Sequence, residues 1–235
     1  MQRRRWILLV GMVLFAMGLT SCGSGRTFSY DFEEDDEGWA MGFADLPVDA
    51  DLSLYELDSG WRELPPELDG FGIYMQGHNR SDDLFMYLKV QVDGLDPNTT
   101  YQVIFDIDPA TAVPEGLMGI GGSPGESVYV KAGATVEEPE VFADKDGWIR
   151  INIDKGNQAT EGEDMINLGN IAHSDVVEEE IGQYKIKPLD NDDRPFIVTT
   201  GEEGTLWFIV GTDSGFEGLT AVYYDKIRIK VSEAD

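Results

Sequence analysis

From Phe28 onward the chain alternates apolar and polar residues with the two-residue period of half-buried β-strands. Phe28, Tyr30 and Phe32 alternate with Ser29, Asp31 and Glu33, and an acidic turn over Glu33–Gly38 follows. Leu84, Met86, Leu88, Val90 and Val92 fall on one face of a strand, with Phe85, Tyr87, Lys89 and Gln91 on the other. Beyond the turn-forming Gly94-Leu95-Asp96-Pro97-Asn98-Thr99, Tyr101, Val103, Phe105 and Ile107 define a second long strand. The two are expected to pair as an antiparallel hairpin with one buried face.

Near the end Leu206, Phe208 and Val210 alternate with Trp207 and Ile209, and Gly211-Thr212-Asp213-Ser214 reads as the turn that follows. The last strand places Tyr223, Asp225, Ile227, Ile229 and Val231 on one face, against Tyr224, Lys226, Arg228 and Lys230. Shorter strand signals lie at Leu52–Trp61, Gly70–Met75, Glu126–Lys131, Trp148–Ile153 and Phe196–Thr199. That is about ten strands with turn residues between them, almost no helix and no internal repeat. The expected fold is all-β, an antiparallel β-sandwich of jelly-roll type, as one domain over residues 28–235. A polar, weakly patterned excursion at 154–182, with one helical turn over Ser174–Glu180, interrupts it. Excursions of this length are functional or disordered.

The N-terminus is of another kind. Arg3, Arg4 and Arg5 precede an apolar run from Trp6 to Leu19, with no acid before Asp31. A membrane-spanning helix needs about 20 apolar residues, so this run has signal-peptide length. It ends at Leu19-Thr20-Ser21-Cys22, and Cys22 is the only cysteine in the chain. This ending resembles the lipobox of bacterial lipoproteins, in which the cysteine is lipidated and becomes the mature N-terminus. The resemblance implies a removed signal peptide (1–21), lipidation at Cys22 and a short linker (22–27). Membrane attachment would then run through two or three acyl chains, where one holds only marginally. Gly23 is not the aspartate that marks inner-membrane retention, so outer-membrane placement is expected in a cell with two membranes. An ordinary signal peptide or an anchor helix is the alternative.

Charge narrows the partners. Residues 1–21 carry three arginines and no acid, so the 17 Lys and Arg of the chain fall to 14 against 45 Asp and Glu, a formal charge of −31. Nucleic acid and anionic lipid would be repelled. Neutral or cationic ligands and divalent cations are favoured, although the same excess also serves solubility.

Three segments resemble the jelly-roll carbohydrate-binding modules of secreted bacterial enzymes. They are Tyr30-Asp31-Phe32-Glu33 with Gly38-Trp39, Gly94–Tyr101, and Val222-Tyr223-Tyr224-Asp225-Lys226-Ile227-Arg228-Ile229. As a whole the chain looks like a group of bacterial lipoproteins. The resemblance implies that an acid of the first strand, Glu33, and the last-strand Asp225 sit together as ligands of a structural calcium ion. Calcium suits carboxylates and backbone carbonyls, and an inward, unpaired Asp225 would otherwise be costly. A rim position or an arginine partner is the alternative for Asp225.

Sugar-stacking candidates are Trp39, Trp61, Tyr74, Trp148 and Trp207, with Trp61 favoured beside Arg62 and Glu63, and Trp207 expected in the core. His78, Asn79 and Arg80 offer hydrogen bonds from a neighbouring loop that equally reads as a solvated hairpin. The expected function is thus non-catalytic glycan binding at the cell envelope. A surface adhesion protein using the 154–182 excursion and a polysaccharide-active enzyme on the same fold are the rivals. Gly121-Gly122-Ser123-Pro124-Gly125 matches a nucleophile elbow by letters but is followed by a strand rather than a helix. Asp144-Lys145-Asp146-Gly147 is a fragment of a calcium loop that reads as a turn.

Overall fold

A computed structural model describes residues 25–177 and 182–234. In chain order its elements are β1 (Arg26–Tyr30), β2 (Ala40–Ala44), β3 (Leu46–Pro47), α1 (Leu52–Tyr55), β4 (Asp58–Glu63), β5 (Phe71–His78), β6 (Leu84–Val92), β7 (Thr100–Thr111), β8 (Val128–Thr135) and β9 (Val141–Ala143). They continue as β10 (Trp148–Ile151), β11 (Met165–Asn170), β12 (Lys185–Ile186), β13 (Leu189–Asp190), β14 (Phe196–Thr199), β15 (Leu206–Ser214) and β16 (Leu219–Glu233).

Every sheet pairing is antiparallel. The first sheet runs β12-β7-β16-β5-β4, with β1 on the far half of β16 and β13 and β14 along β7. The second runs β11-β8-β15-β6-β2. The long strands β5, β6, β7 and β8 alternate between the two, and β15 leads to β16 across the sandwich in the same way. This is an antiparallel β-sandwich of jelly-roll type.

The alternation seen in the sequence builds the core. Leu84, Met86, Leu88, Val90, Leu206, Phe208 and Val210 of the second sheet meet Ile73, Met75, Val103, Phe105, Ile107, Ile227 and Ile229 of the first. Each fully buried side chain of this size contributes about 1.5–3 kcal/mol relative to exposure. The opposite face of β6 is buried too. Phe85 and Tyr87 form a second cluster with Ala44, Ile151, Met165 and Ile209. A third, small sheet in the order β3-β10-β9 supplies Ile151 to it.

Four expectations change. β6 and β7 do not pair as a hairpin: they lie in opposite sheets. A strand with one apolar face buries it as well by facing its neighbour across the core as by lying beside it. The connection over Gly94–Thr99 also exceeds the two-residue loop of a tight hairpin. Leu52 and Leu54 belong to a short helix, not a strand, and are exposed. Asp51 caps it by accepting from Ser53 N, and Glu56 ends it in a left-handed conformation. Gly211-Thr212-Asp213-Ser214 is not a turn but the buried end of β15. Finally, the register of β16 on β7 shifts between Tyr224 and Lys226. This bulge exchanges the faces, so Val222 and Tyr224 point inward with Ile227 and Ile229, while Tyr223 points out. Asp225 is the bulged residue.

The 154–182 excursion is not an appendage. It contains β11, the edge strand of the second sheet. Its expected helical turn extends over residues 178–180, which lie outside the described residues; Ser174 and Asp175 form a turn. Among the described residues no helix is long and apolar enough to cross a membrane.

Candidate functional site

The sequence-predicted residues divide between the two faces of the first sheet. Trp61 of β4 pairs with Ile73 of β5 and shares its inner face, whereas Tyr74 pairs with Gly60 and Tyr223 and points out. The structure therefore does not bring Trp61 and Tyr74 together. Tyr74 is covered: Arg62 lies over its ring at 4.3 Å, Tyr223 tilts against it at 4.7 Å, and its hydroxyl donates to Gln76 Oε1 at 2.5 Å. Burial then raises its pKa. Further along the same face, His78 Nδ1 sits 2.9 Å from Glu56 Oε1, and Arg80 donates to the Leu54 carbonyl and reaches His78. His78 and Arg80 remain surface groups. Asn79 does not: it is buried, donates to the Ser214 carbonyl and accepts from Ser81 N. It ties β5 to β15 and is unavailable to a ligand.

Among the predicted stacking residues, Trp61 is the ring most open to solvent, 37% exposed. One face stacks on Phe71 at 4.6 Å and 13°, and its indole N–H donates to the Phe32 carbonyl at 2.6 Å. The ring edge thus abuts the acidic turn, whose Asp31, Glu34, Asp35 and Glu37 line a hollow. The turn is held by its own carboxylates. Glu37 accepts from the amides of Asp31 and Phe32, and Asp35 and Asp36 accept from Glu37 N and Gly38 N. Phe32 itself is fully buried with φ of 56°, a strained conformation for a bulky residue, and this turns its carbonyl toward Trp61. Of the other candidates, Trp39 is core, Trp148 lies beneath Arg150, and Trp207 is half-buried beneath Lys89 rather than in the core. A second hollow, lined by Thr135, Glu137, Asn152, Asp164 and Val198 among others, has no aromatic wall.

Glu33 and Asp225 are brought into one neighbourhood because β1 pairs with β16, Tyr30 opposite Ile227. The Glu33 carboxylate packs on Gly70, where a Cβ would strike it. Asp225 has its pKa raised, first by burial and then by Asp108, Glu33 and Asp31, with Lys226 at 3.8 Å as the opposing charge. Negative charge is thus in excess around Asp225, which suits a hard cation. Among the described residues, no group of three ligating side chains that includes either one gathers within 4.8 Å.

Such a group does gather elsewhere, and the sequence did not disclose it. Asp45, Asp83 and Asp213 each place a carboxylate oxygen within 4.8 Å of the others, close enough to hold a metal ion. In this structure a lysine ammonium occupies that position. Lys155 Nζ lies 2.9 Å from Asp45 Oδ2, 2.9 Å from Asp213 Oδ2 and 3.9 Å from Asp83 Oδ2, against the ring of Phe85. Lys131, with no exposed side-chain surface, donates to Asp213 Oδ2 at 3.0 Å and to the carbonyls of Lys155 and Thr160 at 2.7 and 2.9 Å. Burial opposes ionisation of Asp213, but Lys155 and Lys131 hold its pKa below the ordinary range. Asp83 goes the other way. Burial and the Asp213 charge, opposed by Lys155, push its pKa up to about 8, toward the protonated form. The signal that could have found the cluster is a lysine in an apolar strand, Lys131, and an acid closing another, Asp213.

Ser123 has no histidine beside it. Its hydroxyl is engaged by the Glu126 carboxylate and by the amides of Gly125 and Glu126. His173 is bonded through both nitrogens, to the Ile186 carbonyl and to Asp175 N. Asp144 closes the β9–β10 turn by accepting from Asp146 N and Trp148 N. Cys22 lies outside the described residues.

No family model matches the chain, and no curated protein matches it. Solved structures do superpose on it. The mannan-recognising carbohydrate-binding module TmCBM27 has a TM-score of 0.42 at 11% identity, covering 88% of this chain and 98% of that one. A sugar-binding protein from Bacteroides thetaiotaomicron, described as putative, has a TM-score of 0.38 at 9% identity, covering 83% and 88%. The enzymatically active domain of bacteriophage CBA120 tailspike protein 4 has a TM-score of 0.38 at 10% identity over 84% of this chain, which spans 20% of that protein's length. These superpositions are loose.

Proposed function

We propose that this is a non-catalytic glycan-binding protein, held at the cell envelope by lipid on Cys22 and braced by a structural calcium ion between Glu33 and Asp225. The observation that carries the glycan reading is Trp61. Its ring is open, its far face is backed by Phe71, and its edge is fixed to the Phe32 carbonyl, so it is held in place before a ligand arrives. The apolar face of a pyranose packs on such a ring, and the neighbouring carboxylates accept hydrogen bonds from its hydroxyls. Replacing Trp61 by alanine is expected to weaken binding of the preferred neutral polysaccharide about ten-fold or more, without loss of fold. Affinity electrophoresis on a polysaccharide panel, with circular dichroism of the variant, measures this. If no glycan is retained by the intact protein, the reading fails and surface adhesion becomes the better one.

The calcium reading rests on the excess of negative charge around Asp225, which Lys226 offsets only in part. Calcium at about 100 times its Kd is expected to raise the melting temperature by about 5–10 °C, and chelator to remove the gain. Glu33→Gln with Asp225→Asn should abolish the response. An unchanged melting curve in all three conditions would sink it.

The anchor is tested by fractionation. Cys22→Ser is expected to move the protein from the membrane pellet to the soluble envelope fraction and to end incorporation of labelled palmitate. Continued pelleting of that variant would show that something other than lipid holds it.

A further inference from the structure

The buried ionic cluster places a lysine amine and a carboxyl in contact where neither meets water. We propose that Lys131 and Asp213 condense to an intramolecular amide, with Asp83 as the proton-transfer group. The proposal is independent of the glycan reading.

The geometry distinguishes the two lysines. Lys131 Nζ has three acceptors: Asp213 Oδ2 at 3.0 Å and the carbonyls of Lys155 and Thr160. Once its proton passes along the bond to Asp213, the two remaining N–H groups stay on those carbonyls. The lone pair then faces the carboxyl. Burial favours that neutral form by lowering the Lys131 pKa. Lys155 is held instead as an ammonium, 2.9 Å from both Asp45 and Asp213.

The two oxygens of Asp213 are placed for different tasks. Oδ2 accepts from Gln158 N and Lys155 Nζ, each at 2.9 Å, so negative charge developing on it is met by two donors already in position. Oδ1 is buried with no donor, as is Asp83 Oδ1. A proton on Asp83 resolves this by bonding toward Asp213. The residues share no solvent: the side chains of both Lys131 and Asp213 are 0% exposed. A bimolecular condensation that water would reverse becomes an intramolecular one in a dry site.

The step balances. Lys131 Nζ attacks Asp213 Cγ, the C–N bond forms, and the Cγ–Oδ1 bond breaks. The first lysine proton reaches Oδ2 and is relayed through the Asp83 carboxyl to Oδ1, leaving Oδ2 to become the amide oxygen. Asp83 gives Oδ1 a second proton, Oδ1 departs as water with both, and the second proton from the nitrogen restores Asp83. One ammonium and one carboxylate become one amide and one water, with no oxidant or co-reactant.

The full chain, purified and denatured, is measured by intact mass and by peptide mapping. The expected result is a mass lower by one water, with the peptides carrying residues 131 and 213 joined after proteolysis. Lys131→Arg should carry its full mass, and Asp83→Asn should form the joined product about 100-fold more slowly or worse. A wild-type chain of full mass with residues 131 and 213 on separate peptides overturns the proposal. A joint through Lys155 overturns the assignment of the nucleophile. The wild-type measurement decides even if a variant fails to fold.

Discussion

Replacing Lys155 by methionine is expected to destabilise the domain by about 1–3 kcal/mol, the cost of leaving buried carboxylate oxygens short of a donor. The methylene stem keeps its volume against Phe85, so the loss isolates the ammonium. Asp45, 5% exposed, would retain Arg150 at 2.6 Å, but its Oδ2 would lose the ammonium 2.9 Å away. Asp213 Oδ2 would lose the Lys155 donor 2.9 Å away and keep Gln158 N. Urea unfolding of wild-type and variant, with the slope compared as well as the midpoint, measures the effect. A change below about 1 kcal/mol would show that water enters the cluster and that its burial is not maintained in solution. A domain of this kind has about 5–15 kcal/mol in total, so the expected loss is a large part of it.

Phe208→Ala is expected to cost more, about 3–5 kcal/mol, for a different reason. Phe208 is fully buried on β15, with Phe28 edge-on at 5.5 Å and Phe105 at 6.1 Å and 89°. It is the ring at which β1 and β7 of one sheet meet β15 of the other. Alanine would leave a cavity that three separate strands must close, and strands fixed on both sides by hydrogen-bonded neighbours relax little. The same unfolding experiment serves, and Phe208→Leu should recover more than half of the loss. Equal losses for both variants would show that shape rather than volume governs the site.

The sequence and the structure agree where a property belongs to one strand. The faces of β6 follow from Leu84, Met86, Leu88 and Val90, because alternation is enforced by the pleat itself. They part company where a property belongs to two strands. Nothing local tells β6 and β7 whether to pair or to face each other across a core. Nothing local marks the bulge at Asp225, which is set by the register of β16 on β7 and which reverses the faces of Tyr223 and Tyr224. The same holds for function. Trp61 was legible as an exposed ring, but its fixed orientation depends on Phe71 and on the carbonyl of Phe32, 29 residues away. His78 and Asn79 are neighbours in sequence on opposite sides of a strand, so one stays at the surface and the other is buried between sheets.

The sequence by itself determined an all-β domain with two-faced strands, a basic and then apolar N-terminal run before the single Cys22, and a chain dominated by acids. Tertiary structure alone decided what five of its charged residues do. Asp213 lies 82 residues from Lys131 and 58 from Lys155, with Asp45 and Asp83 contributed from further segments. Periodicity reports only whether a side chain points toward or away from a core. Which charges share one dry site is fixed by how the sheets stack, and that stacking is decided by the packing of the whole apolar set at once.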